Sequence, residues 1–213
     1  MAEKHIAFTF DDGPNTTVTP LVAKLFEDLG GHATFFLVGN NITDETVEVV
    51  RSNYLNGHEI ASHSLTHSDM TKFTADEISY EMEQTDMRVK AVIGHDTFYF
   101  RPPYIAYDQQ MFDTIDKPFI CGRGVDDWDK SVTTGQRIEG LLEEAEDGGI
   151  ILLHDQEDNY STVKALETVL PALKEQGYEF VTLSELFRLK GIKPLTDRPI
   201  IYSNVMQTEN TYE

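Results

Sequence analysis

The stretch "HIAFTFDDGP", His5 to Pro14, reads as a buried strand that ends on two adjacent carboxylates, Asp11 and Asp12. Neighbouring carboxylates raise one another's pKa and are costly to desolvate. An Asp-Gly turn in which Asp12 caps backbone groups explains the "DG", but it leaves Asp11 without a purpose. Working outward, short apolar runs recur at "ATFFLV" from Ala33, "HEIAS" from His58, "FYFR" from Phe98, "PFICG" from Pro118, "GIILLH" from Gly149 and "YEFVT" from Tyr178. Helical patterns separate them, and this alternation predicts one α/β domain, a parallel sheet covered by helices. Periodicity alone leaves an open doubly wound sheet and a closed barrel equally possible.

Among the helices, Leu21, Val22, Leu25, Phe26 and Leu29 form one face. "TADE", Thr74 to Glu77, is a capping box that opens a helix through about Ile93. The run "TVKALETVLPALKEQG" has helical spacing, with Pro171 expected to kink or restart it. Residues 1–192 are read as the domain, and 193–213 as an extended tail with a loose end.

The chain has 213 residues, 40% of them hydrophobic, enough for one core. No apolar run approaches the ~20 residues that span a bilayer, so no membrane association is expected. The start "MAEKHIAF" lacks the apolar segment of a signal peptide, which fits a cytoplasmic protein or a module cut from a larger secreted one. With one cysteine, Cys121, an internal disulfide is excluded, and the residue reads as a small buried hydrophobe. The net charge of −20, from 17 basic and 37 acidic residues, offers no basic stripe for nucleic acid. It also disfavours a strongly anionic polymer as substrate.

The conspicuous polar residues fall just beyond predicted strand ends: Asp11 and Asp12, His63 and His67, Arg101, Asp127 and His154. In parallel α/β folds those ends form the ligand face. In "HSLTH" the two histidines lie four residues apart, a spacing that on a helical turn points both imidazoles one way. With an aspartate they make a facial set suited to zinc or another divalent metal. The prolines of "FRPPYIA" hold the backbone so that Arg101 can orient a carboxylate, although an exposed polyproline turn explains them equally well. In "GVDDWDK", Asp127 is placed to orient a histidine and Trp128, the sole tryptophan, to pack against a sugar. An acidic surface loop explains the stretch equally well. His154 closes "IILLH" and is a candidate general acid or base.

In this order, "TFDDGP", "HSLTH", "RPPY", "DW" and "LLHD" resemble the five motifs of the polysaccharide deacetylase family of carbohydrate esterases, over about residues 5–190. The resemblance implies a distorted barrel of about seven parallel βα units and one divalent metal, usually zinc, with cobalt or manganese as alternatives. It implies that Asp12, His63 and His67 hold the metal. Asp11 is then the base steered by Arg101, and the Tyr104 N–H is an oxyanion donor. His154 becomes the acid paired with Asp127, and Trp128, Leu152 and Pro103 shape the substrate pocket. It further implies an acetylated polysaccharide as substrate and an extracellular setting.

The C-terminal "GYEFVTLSELFRLKG" is most similar to acetylxylan esterase members, which favours O-acetyl groups of xylan over N-acetyl groups of chitooligosaccharide or peptidoglycan. Two departures stand out. Ile105 follows "RPPY" where glycine is frequent, and the compressed "GVDDWDK" leaves Asp126 as a competing partner for His154. From the residues alone, a non-haem iron oxygenase, a glycosidase and a non-catalytic carbohydrate-binding protein remain as lower-ranked readings.

Overall fold

The computed structural model describes residues 3–210, so residues 1–2 and the last three residues of the tail lie outside the described residues. In chain order the elements are β1 (Lys4–Asp11), α1 (Val18–Glu27), β2 (Thr34–Leu37), α2 (Val47–Leu55), β3 (Glu59–Ser62), α3 (Ala75–Ile93), α4 (Gln109–Thr114), β4 (Phe119–Ile120), β5 (Arg123–Gly124), α5 (Thr134–Glu144), β6 (Ile150–His154), α6 (Tyr160–Glu175), β7 (Tyr178–Phe180), α7 (Leu183–Leu189) and β8 (Ile201–Tyr202).

Every strand pair is parallel. The main sheet runs β3-β2-β1-β6-β5, with β7 against the start of β1. The wall then curves round through single-residue bridges from Ser62 to Phe100 and from Phe100 to Phe119. It continues through β4 and β8, and an antiparallel bridge from Asn204 to Gly149 returns it to the start of β6. The result is a distorted barrel rather than an open sheet. Gly122 sits where the chain turns from β4 toward β5, with φ +98°. A Cβ there would be crowded, 3.0 Å from Leu152 Cβ and 3.2 Å from Arg101 Nη2, and the left-handed backbone would strain any side chain.

The period of two along β1 divides the core. Phe8 and Phe10 face outward and pack with Phe26, Phe35 and Phe180 beneath the helices. Ala7 faces inward, in a second cluster with Phe36, Ala61, Ile120 and Ile150. On β6, Ile151 and Leu153 belong to the outer cluster, so Leu152 and His154 fall on the inner side. The lower end of the barrel is filled by α7, whose Leu183, Leu186 and Phe187 join the inner cluster.

Several sequence expectations change. "FYFR" forms no strand of its own: Phe100 alone bridges both neighbours, because Pro102 and Pro103 have no N–H to extend a ladder. Two short strands, β5 and β8, were not legible as strands. The residues of β8 are buried, with Tyr202 at 1% exposure against Phe187. Thus the middle of the tail is part of the barrel wall. Helix α6 continues through Pro171, whose ring faces solvent. On α1, Leu21 is exposed while Val18, Val22 and Phe26 are buried. The capping box on Thr74 and Glu77 is present as expected.

The buried position of Tyr202 predicts that Tyr202→Ala destabilises the fold by about 3–5 kcal/mol, measured by urea denaturation. A loss under about 1 kcal/mol would show that the tail only wraps the surface.

Candidate active site

The inner face of β1 carries Asp11, whose register partner on β6 is His154. Arg101, fully buried, crosses the barrel interior to reach Asp11. Its Nη1 donates to Asp11 Oδ1 at 2.6 Å and its Nη2 to Thr9 Oγ1 at 2.7 Å, while the guanidinium lies over the Phe36 ring. Burial alone would raise the Asp11 pKa, but Arg101, His63 and His154 together hold it below the ordinary carboxylate value.

Asp12 leaves the strand with φ +77°, which turns its carboxylate out of the barrel wall. Its Oδ1 lies 3.6 Å from His63 Nε2 and 3.2 Å from His67 Nε2. Yet that buried oxygen has no hydrogen bond. His63 Nδ1 is 2.8 Å from the Arg101 carbonyl oxygen. A carbonyl only accepts, so Nδ1 carries the proton and Nε2 presents a lone pair. Burial also lowers the His63 pKa, against the pull of Asp11 and Asp12, and favours the neutral ring. The candidate ligand atoms of Asp12, His63 and His67 all lie within 4.8 Å of one another. An orphaned carboxylate oxygen facing a neutral imidazole fits a divalent cation.

The histidine pair does not sit on a helical turn. Ser64 and His67 have φ of +66° and +58°, which a right-handed helix forbids. The loop is held by Glu81 on α3, buried at 5% exposure. Its Oε2 accepts from the Leu65 and Thr66 N–H groups at 2.8 and 2.9 Å, and Oε1 accepts from the Thr66 hydroxyl at 2.8 Å. Sequence reading missed Glu81, although an acid inside the apolar stripe Ile78, Met82, Thr85, Val89 was a visible signal.

Asp127, not Asp126, meets His154: Oδ1 is 2.7 Å from His154 Nδ1, and Oδ2 accepts from the His154 backbone N–H at 3.0 Å. Asp126 has φ +50° and lines the cavity. Burial of His154 works against its charge, but the Asp127 hydrogen bond and the charges of Asp127, Asp11 and Asp12 win and raise its pKa to about 9. Since this exceeds the ordinary ~6.5 of the unfolded state, protonated His154 contributes stability below pH ~6.5. That contribution is lost as pH rises through about 9.

Asp155 follows in the chain and was also missed. It is fully buried, its Oδ2 accepts from the Thr19 hydroxyl, and burial raises its pKa to about 7. A Cβ on Gly13 would lie 2.6 Å from that oxygen, so the "DDGP" turn requires glycine there.

These groups open into a cavity of about 580 Å³, the size of a small-ligand site. Trp128, 55% exposed, and Leu152 line it, as does Cys121. Pro102 rather than Pro103 lines the cavity; both prolines are buried, and Pro103 opens a one-turn 3-10 segment. Tyr104 and Ile105 follow with φ of +59° and +53°. Ile105 therefore keeps the left-handed backbone that glycine would favour, at a cost of roughly 1–2 kcal/mol. Its side chain packs on the cluster containing Phe100 and Met111. The Tyr104 N–H has no hydrogen-bond acceptor among the described residues.

A parallel barrel whose strand ends carry an Asp-His-His donor set has the arrangement that a metal-assisted hydrolase needs. Residues 1–117 match the polysaccharide deacetylase family, and the chain belongs to that family. It is 45% identical over 203 residues to the bifunctional xylanase/deacetylase of Pseudobutyrivibrio xylanivorans, covering 95% of this chain and 33% of that protein. The chain thus spans about a third of that relative's length. A solved domain of a multidomain xylanase from the hindgut metagenome of Trinervitermes trinervoides superposes with a TM-score of 0.93 at 45% identity, covering 96% of this chain and 99% of that one. The family 4 acetyl xylan esterase of Clostridium thermocellum, solved with a cobalt ion, gives 0.92 at 36% identity over 96% of this chain and 100% of that one.

Glu81→Ala frees two loop N–H groups beside His67, so it is expected to weaken divalent-cation binding about 10–100-fold, measured by calorimetric titration. Unchanged affinity would show that the loop holds its shape without Glu81.

Proposed function

We propose that this chain removes O-acetyl groups from acetylated xylan, with Asp11 as general base and His154 as general acid. The observation that carries the reading is the register pair itself. Asp11 and His154 face one another across β1 and β6, one pushed toward the anion and the other toward the cation. Two titratable groups driven apart in this way are an acid and base assignment. The choice of xylan follows the named activities of the relatives above, and a place within a larger xylan-degrading enzyme follows from the multidomain xylanase.

Asp12, His63 and His67 would hold a divalent metal, zinc by preference. When bound, the ion supplies Lewis acidity that polarises the acetyl carbonyl and acidifies a water. The chain's own groups do the rest. Arg101 occupies Asp11 Oδ1 and leaves Oδ2, 3.7 Å from His63 Nε2, free to take a proton from the attacking water. Negative charge developing on the carbonyl oxygen meets the Tyr104 N–H. As the ester C–O bond breaks, His154 gives its Nε2 proton to the departing sugar oxygen, while Nδ1 stays on Asp127. Acetate and the sugar hydroxyl leave. Trp128 and Leu152 wall the cavity beside the acetylated ring.

A chelator should abolish acetate release from acetylated xylan, and zinc should restore it; activity that resists a strong chelator contradicts the reading. Asp11→Asn should lower kcat about 10²–10⁴-fold with metal affinity nearly unchanged, whereas Asp12→Asn should lose metal. Equal metal loss in both variants would refute the division of roles. The kcat/KM profile should fall on the basic side as His154 loses its proton near pH 9. A basic limb that survives in His154→Gln would assign it to another group. Acetylated xylan should outperform N-acetyl chitooligosaccharide and peptidoglycan in an acetate-release panel; the reverse order would move the substrate to N-acetyl sugars.

A further inference from the structure

Behind Asp127 lies a buried arginine that the reaction as described does not use. Arg137 on α5 is 2% exposed and forms no ion pair with a carboxylate among the described residues. Its Nη1 donates to Asn159 Oδ1 at 2.7 Å and Thr162 Oγ1 at 2.8 Å. Those same two side chains donate onward to Asp127 Oδ2, Thr162 Oγ1 at 2.7 Å and Asn159 Nδ2 at 3.1 Å. The other guanidinium nitrogens donate to the Val132 and Asp129 carbonyls, each at 3.1 Å, which ties down the loop carrying Asp127 and Trp128.

An arginine can only donate. By taking the acceptor oxygen of Asn159 it fixes which end of that amide faces Asp127. By occupying Thr162 Oγ1 it leaves the hydroxyl hydrogen directed at the carboxylate. A buried cation without a direct partner is costly, and here its counter-charge is Asp127, reached through two neutral groups. We infer that Arg137 is a positioning residue for proton delivery: it aims the donors of Asn159 and Thr162 onto Asp127 and so fixes Asp127 against the His154 imidazole. This rests on the reading of His154 as the acid that protonates the leaving sugar.

The test compares zinc-loaded wild type with Arg137→Met, Arg137→Lys and Thr162→Val. His154 is titrated by NMR of its imidazole, kcat/KM is followed against pH on acetylated xylo-oligosaccharide, and zinc affinity is measured in parallel. In Arg137→Met, His154 should bind its proton about tenfold more weakly. The basic limb should move to lower pH by the same amount, and zinc affinity should stay within about twofold. Arg137→Lys should recover part of the change, and Thr162→Val should shift it in the same direction by less. An unaltered His154 titration in folded Arg137→Met, or an activity loss uniform across pH, overturns the inference. If Arg137→Met does not fold, the Thr162→Val titration decides it. Because that titration needs no substrate, a failure of the acetyl-xylan reading would show separately, as wild type that releases no acetate.

Discussion

The site depends on one buried ion pair, Arg101 with Asp11. Arg101 is fully enclosed and threads the barrel interior, bonding Thr9 and Asp11 on one strand and holding His63 through its own carbonyl. Removing one member of such a pair costs about 3–5 kcal/mol, whereas replacing both by well-packed apolar groups is often neutral or better. Stability alone therefore does not account for it. What it provides is a carboxylate kept ionised, with one oxygen occupied and the other free, beside a neutral imidazole. The adjacency of Asp11 and Asp12 becomes tolerable in this setting. The strand path points Asp11 inward at the guanidinium, and the left-handed backbone at Asp12 turns its carboxylate toward His63 and His67.

Strand register extends this order to the second half of the site. Parallel pairing of β1 and β6 places Asp11 opposite His154, and the period of two puts Leu152 on the same side. Asp127 arrives from the loop after β5 and takes four hydrogen-bond donors, from the His154 ring and backbone, Asn159 and Thr162. The charges of His154 and Asp11 thus have separate counter-ions. This lets a protonated imidazole and an ionised carboxylate coexist on neighbouring strands without neutralising one another.

Much of this was legible in the sequence because strand ends and apolar periods are local signals. The runs ending at Asp11 and His154 identify their strands, and parallel topology brings both to one face. The arginine of "FRPPY" and the capping box at Thr74 are equally local. What escaped depends on long-range contacts. Glu81 and Asp155 look like ordinary acids until burial gives them partners, and Arg137 looks like a helix-surface cation. The two-residue strands β5 and β8 have too few residues to show a period, and β8 is ordered by pairing with β4. The loop of His63 and His67 misled for a different reason. A spacing of four suggests a helical turn, but left-handed residues and the Glu81 carboxylate bring the rings together instead.

In the proposed reaction the two aspartates divide their work, Asp12 to the metal and Asp11 to the proton. Anomalous diffraction from a zinc-loaded crystal tests this directly. One ion is expected within about 2.0–2.2 Å of Asp12 and of both histidine nitrogens, with Asp11 still bonded to Arg101. An ion ligated by Asp11, or bound away from His63 and His67, would contradict it.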